Sequence, residues 1–163
     1  ACMGKVVAGG TPGSVFGGRA DVMAQYDPAT GDPGIQQSGT YNANPIAMVA
    51  GLTTLRLLTP EAYEKLDAIT QRLGSELESV FAEADLVAQV TTVGSLFRVH
   101  FLPGRPRNYR EAAREDASIH RWLFFALLAR GVYWKQGGNV SLPMEDAHID
   151  QLISAIRSAL GEL

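Results

Sequence analysis

Apolar residues recur at spacings of three and four over two long stretches, and cluster with β-formers over a third. Leu66, Ile69, Leu73, Leu77, Val80 and Phe81 share one face of a helix. Thr59-Pro60-Glu61 starts that helix with an N-cap hydroxyl, a proline at N1 and an acid in the first turn, and it ends near Ala84. Ile149, Leu152, Ile153, Ile156 and Leu160 give a second amphipathic helix after the Pro143-Met144-Glu145-Asp146 turn. Asn44-Pro45 starts another, since Asn accepts from an orphan N–H and Pro needs no partner at N1. It runs to about Leu58 and is apolar on nearly every side, so it is expected to be mostly buried. Tyr109 to Arg130 reads as one helix with Trp122, Leu123, Phe125, Ala126 and Leu127 on its core face, stopped by Gly131. Gln89 to Leu102 reads as strand, bulged or broken at Gly94. Val132-Tyr133-Trp134 and Asn139 to Leu142 read as short strands around Gly137-Gly138. From residue 86 the order is strand–helix–strand–helix, an α+β module with a mostly antiparallel sheet.

Before residue 44 neither period persists. Glycines at 4, 9, 10, 13, 17 and 18 predict a loop or a pair of short strands, with Val6-Val7 and Val15-Phe16 as the strand fragments. Arg19 to Tyr26 has helical spacing, with Val22, Met23 and Tyr26 near one face, and stops before Asp27-Pro28. Residues 27 to 37, including Thr30-Gly31-Asp32-Pro33-Gly34, are turn-rich.

Composition narrows the function classes. The chain has 163 residues, 46% hydrophobic and 19% charged, enough for an ordinary globular domain. Its net charge of -3, from 14 basic and 17 acidic residues, gives no footprint for nucleic acid or an anionic membrane. The arginines from Arg105 to Arg114 alternate with Pro106, Glu111 and Glu115, which reads as a solvated loop. Cys2, the lone cysteine, makes no internal disulfide, in keeping with a cytoplasmic protein. No apolar run reaches the roughly 18 residues of a membrane span. The N-terminus has neither a signal-peptide pattern nor an initiator methionine, so the chain is expected to be part of a longer sequence. His100, His120 and His148 have no ligand spacing, and Trp122, Phe124 and Phe125 read as core.

Lys5 heads the glycine-dense stretch, with no other lysine before Lys65. By spacing alone it is an ordinary surface lysine, and no Gly-Lys-Ser/Thr follows to make a nucleotide loop. Two segments change that reading. Gly4-Lys5-Val6-Val7-Ala8-Gly9-Gly10, continuing to Gly17-Gly18-Arg19, and Gly39-Thr40-Tyr41-Asn42-Ala43-Asn44-Pro45-Ile46-Ala47-Met48 resemble segments of the class III (subgroup II) aminotransferases. The likeness is to glutamate-1-semialdehyde aminomutase and the β-amino-acid aminotransferases, with Ala8 at one family glycine. Gly94-Ser95-Leu96-Phe97, Arg130 to Tyr133, and Ser141-Leu142-Pro143 support it by order and spacing.

The resemblance implies a fold-type I pyridoxal-phosphate transferase, α/β plus α+β. Residues 1-58 would be the lysine-bearing end of the cofactor-binding large domain, and residues 59-163 a C-terminal small domain. It implies that Lys5 is the Schiff-base lysine, and that Gly39 and Thr40 bind the cofactor phosphate of the neighbouring subunit. A homodimer, or association with another chain, and an amino-acid substrate follow. The family's partner for the pyridinium nitrogen falls in a half not present here, so the isolated chain is expected to be inactive. Some β-amino-acid relatives carry an arginine within 134–139, where this chain has Trp134-Lys135-Gln136-Gly137-Gly138-Asn139. Lys135 lacks the bidentate fork of an arginine, which leaves the substrate open. The alternative is a non-catalytic truncated module that serves as an association unit.

Overall fold

The computed structural model describes residues 1–30 and 34–162, and the turn expected at Gly31-Asp32-Pro33 lies outside them. The chain forms two compact units, Ala1–Thr59 and Pro60–Leu163.

In the first unit, strand β1 (Cys2–Gly4) pairs antiparallel with β2 (Ser14–Phe16), Met3 opposite Val15. Between them Lys5–Ala8 forms a 3-10 turn, so Val6-Val7 is not the strand fragment that its β-branched residues predict. The two strands need a reversal, and the Gly9 N–H closing on the Val6 carbonyl at 3.0 Å supplies it. Helix α1 (Ala20–Met23) continues into a 3-10 turn, Ala24–Tyr26, as the sequence predicts, and the Tyr26 ring meets Phe16 edge-on at 5.0 Å.

Helix α2 (Pro45–Leu57) starts where expected. Asn44 Oδ1 accepts from the N–H groups of Ile46 and Ala47, at 3.1 and 3.2 Å. The expectation that it is mostly buried fails. Only Ala47 and Gly51 are buried, while Ile46 is 71% exposed and Val49 65%. A helix that is apolar all round buries only what its neighbours cover, and here the cover is the narrow glycine turn on the Ala47–Gly51 side.

The second unit holds the core. Helix α3 (Pro60–Glu83), strands β3 (Gln89–Val93) and β4 (Leu96–His100), and helix α6 (Asp146–Leu160) fall within a residue or two of the predicted spans. Gly94, at φ 54, makes the turn between β3 and β4. The sheet is antiparallel throughout, in the order β3–β4–β5, with β5 at Gly137–Asn139. Leu73, Leu77, Val80, Phe81, Val99, Leu127, Ile149 and Ile156 are all but inaccessible. Each buried side chain of this size contributes about 1.5–3 kcal/mol.

Three expectations are corrected here. Tyr109 to Arg130 is two helices, α4 (Tyr109–Ala112) and α5 (Ala117–Leu128). Each has its own N-cap: Asn108 accepts from Glu111 N–H at 3.1 Å to start α4, and Asp116 from Ser118 N–H at 2.8 Å to start α5. Phe125 is 60% exposed rather than core, because α5 buries its Leu123–Leu127 side. Residues 132–134 are not a strand. After Gly131 (φ 76) the Val132 N–H closes the helix end on the Leu127 carbonyl, and the strand expected at Asn139 to Leu142 lies earlier, at Gly137–Asn139, with the Gln136 carbonyl before it accepting from the Val99 N–H of β4 at 2.9 Å. A Cβ at Gly137 would lie 2.3 Å from the Phe97 carbonyl oxygen, so this strand needs its glycine.

Candidate active-site elements

The Lys5 turn is built by its neighbours. The chain leaves β1 directly into Lys5, which is exposed and adopts φ 59. Gly9 takes the same left-handed conformation, and Thr11 donates both its N–H and its hydroxyl to the Ala8 carbonyl, at 3.1 and 2.6 Å. A left-handed lysine is unusual, because Cβ crowds the backbone there. Gly10, at φ 83, and Gly17 have nothing within 4 Å of a would-be Cβ, whereas one at Gly9 would lie 2.4 Å from Ala50 of α2.

Gly39 and Thr40 lie in the turn before α2. The Asn42 N–H donates to the Gly39 carbonyl at 3.0 Å and the Asn44 N–H to the Tyr41 carbonyl at 3.2 Å, with Ala43 at φ 54. Thr40 is exposed. An open groove of about 630 Å³ runs between the Pro12–Phe16 segment and Tyr41, Asn42, Ala43, Ala47 and Met48. Neither Lys5 nor Thr40 lines it, so the chain does not gather the two predicted cofactor contacts into one groove.

These elements suit a pyridine aldehyde phosphate. Lys5 offers an exposed primary amine to an aldehyde, and Thr40 an exposed hydroxyl to a phosphate.

A second polar cluster, in the other unit, has no signature in the spacing of its residues. The Glu115 carboxyl lies between His100 and His120, with Oε1 3.0 Å from His100 Nδ1 and Oε2 3.4 Å from His120 Nε2. All three side chains are 8% exposed or less. Neither approach has hydrogen-bond alignment, whereas the Phe101 N–H does donate to Glu115 Oε1, at 3.1 Å. Arg98 stands 3.7 Å from the carboxyl, and Thr91 Oγ1 3.3 Å from His100 Nε2. Burial pushes the His120 imidazole below its ordinary value, against the pull of Glu115. Among the described residues no set of three His, Cys, Asp or Glu side chains is arranged to hold a metal. His100 and His120 are 20 positions apart in sequence and meet only because β4 and the start of α5 pack together.

Comparison with known proteins gives these elements a context. The family model "Aminotransferase class-III" matches residues 1–160. The chain is 40% identical to a β-phenylalanine transaminase of Variovorax paradoxus, over 98% of this chain and 37% of that protein. It is 38% identical to a glutamate-1-semialdehyde 2,1-aminomutase of Desulforudis audaxviator, over 99% of this chain and 37% of that protein. The crystal structure of an omega-transaminase from Sphaerobacter thermophilus superposes with a TM-score of 0.89 at 36% identity, covering 98% of this chain and 37% of that one. The chain therefore spans about 37% of the length of the curated relatives it matches. The fold is that of the transaminases over this span. This chain belongs to the class-III aminotransferase family.

Proposed function

We propose that these residues are the lysine-bearing part of a pyridoxal-phosphate-dependent aminotransferase or aminomutase acting on amino acids in the cytoplasm. The observation that carries this reading is Lys5, exposed and left-handed at the head of a glycine-containing turn within a chain matched to the family almost end to end. Lys5 Nζ is the primary amine that anchors the cofactor aldehyde. With the cofactor bound, the same amine would carry the proton to and from the reacting carbon. The bound cofactor supplies the electron sink that lets that carbon release its proton. Gly39 N–H and the Thr40 N–H and hydroxyl bind phosphate oxygens in the site of a neighbouring subunit. That division between subunits accords with a groove lined by neither Lys5 nor Thr40. Residues 1-58 belong in this reading to the cofactor-binding domain, and residues 59-163 to the small domain. Turnover then needs protein beyond these 163 residues.

The test is a visible spectrum with added pyridoxal 5'-phosphate, followed by borohydride reduction and peptide mapping. Label on Lys5 is the expected result. Label spread equally over Lys65 and Lys135 overturns the assignment.

One observation favours a second reading, an association module without catalysis. Ile46, Val49, Leu52 and Leu57 on α2 are at least half exposed. Apolar surface of this kind drives self-association. Light scattering at high concentration decides it, and a clean monomer sinks the reading.

A further inference from the structure

The backbone that carries Lys5 is set by a residue 46 positions away in sequence. A Cβ added at Gly51, in α2, would lie 2.4 Å from the Val7 carbonyl oxygen and 3.6 Å from Ala8 Cα. Real Cβ atoms essentially never approach within 3.0 Å, so a larger residue displaces the turn. The fit is mutual. A Cβ at Gly9 would lie 2.4 Å from both the carbonyl carbon and the oxygen of Ala50, and 2.9 Å from Thr54 Oγ1. Ala8 and Ala47 are buried beside this contact. Positions 47, 50, 51 and 54 share one helix face, so helix backbone and turn backbone meet directly along it. Lys5 opens that turn at φ 59. A non-glycine residue keeps such a conformation only where its surroundings over-determine it.

We infer that Gly51 is a positioning residue for Lys5. Its missing side chain lets α2 seat the Val7 carbonyl, and that seat fixes the direction in which the Lys5 amine leaves the turn. The inference rests on the reading of Lys5 as the cofactor lysine. It adds a coupling: α2 follows the Gly39-Thr40 turn directly, so one helix sets both the amine and the turn assigned to the phosphate.

The test uses the 163-residue chain with pyridoxal 5'-phosphate and borohydride. Lys65 and Lys135, the only other lysines, serve as internal references. Gly51→Ala is expected to lower Lys5 labelling relative to both by up to about a hundredfold, the scale of loss that a misplacement of about 1 Å can cause. Leu52→Ala, at an exposed neighbouring position, leaves it unchanged. Equal labelling in Gly51→Ala and wild type overturns the positioning role. If wild type itself shows no preference for Lys5, the cofactor-lysine reading fails, and amide exchange decides the positioning separately. Gly51→Ala must then speed exchange of the Gly9 N–H, which donates to the Val6 carbonyl, and unchanged exchange overturns the inference. If Gly51→Ala loses α2 altogether, Ala47→Gly loosens the same face without adding an atom. A drop in the same ratio is expected there, and an unchanged ratio overturns the inference.

Discussion

His120 is buried against a carboxylate, yet burial outweighs that partner and holds its imidazole below the ordinary 6.5. Below that value the unfolded chain takes up a proton that the folded chain refuses. Stability is therefore fully present above pH 6.5, and falls as pH drops toward the folded value. One proton limits the slope to about 1.4 kcal/mol per pH unit. Glu115 stands 3.4 Å from the ring, Arg98 and His100 lie on the same carboxyl and disfavour the imidazolium, and Phe101 packs on the ring at 4.7 Å. His120→Phe fits that aromatic contact and removes the titration. Its stability, from urea unfolding at a series of pH values, is expected to decline less than wild type between pH 6.5 and 5, and a parallel decline refutes the role. At this scale the sequence was legible unevenly. Lys5 and Thr40 stand out through a family likeness, not through spacing, which alone makes Lys5 a surface lysine. The His100–Glu115–His120 cluster was invisible, because only tertiary packing brings those residues together.

Elements with both a period and a cap were readable to within a residue or two. Helices α2, α3 and α6 each have a start signal and regular apolar spacing, and β3 and β4 have β-formers on either side of a positive-φ glycine. The misread elements lack one of these. Val6-Val7 has strand propensity, but the reversal between β1 and β2 forces it into a 3-10 turn. The apolar run of α5 hides the second cap at Asp116, which starts a separate helix after α4 has ended at Ala112. Two substitutions separate capping from packing. Leu77→Ala empties an inaccessible site where α3 faces the core, and is expected to cost about 2–5 kcal/mol in denaturant unfolding. Asn44→Ala removes two hydrogen bonds at the start of α2 and is expected to cost about 1 kcal/mol. That loss is local, so it shows in amide exchange within Pro45–Leu57 while exchange in α3 stays the same. A loss spread over both helices contradicts the independence of the units.

At the scale of the molecule the two units are unequal. The contiguous core lies wholly within Pro60–Leu163, whereas among the described residues of Ala1–Thr59 the buried apolar side chains are Ala8 and Ala47. Conformational entropy of about 1–2 kcal/mol per residue opposes folding in both, and only the second unit has burial on a matching scale. Expressed alone, Pro60–Leu163 is expected to fold and to unfold in one cooperative transition, and to survive limited proteolysis that clears Ala1–Thr59. A second unit that is itself degraded at the same rate as the first refutes this. The sequence has a Thr59-Pro60 helix start where the two compact units divide. It did not show the imbalance, because a helix apolar on every side reads as buried whether or not anything covers it.

That imbalance has a calorimetric consequence. Heat capacity rises on unfolding in proportion to the apolar surface newly wetted, about 12–15 cal/mol/K per residue in an ordinary domain. Much of the apolar surface of α2 already touches water in the folded chain. The increment for this chain should therefore approach about 1.4 kcal/mol/K, the value for the second unit alone, rather than the about 2.2 kcal/mol/K of a 163-residue chain folded around one core. A smaller increment flattens the dependence of stability on temperature, so the protein should lose little stability on cooling.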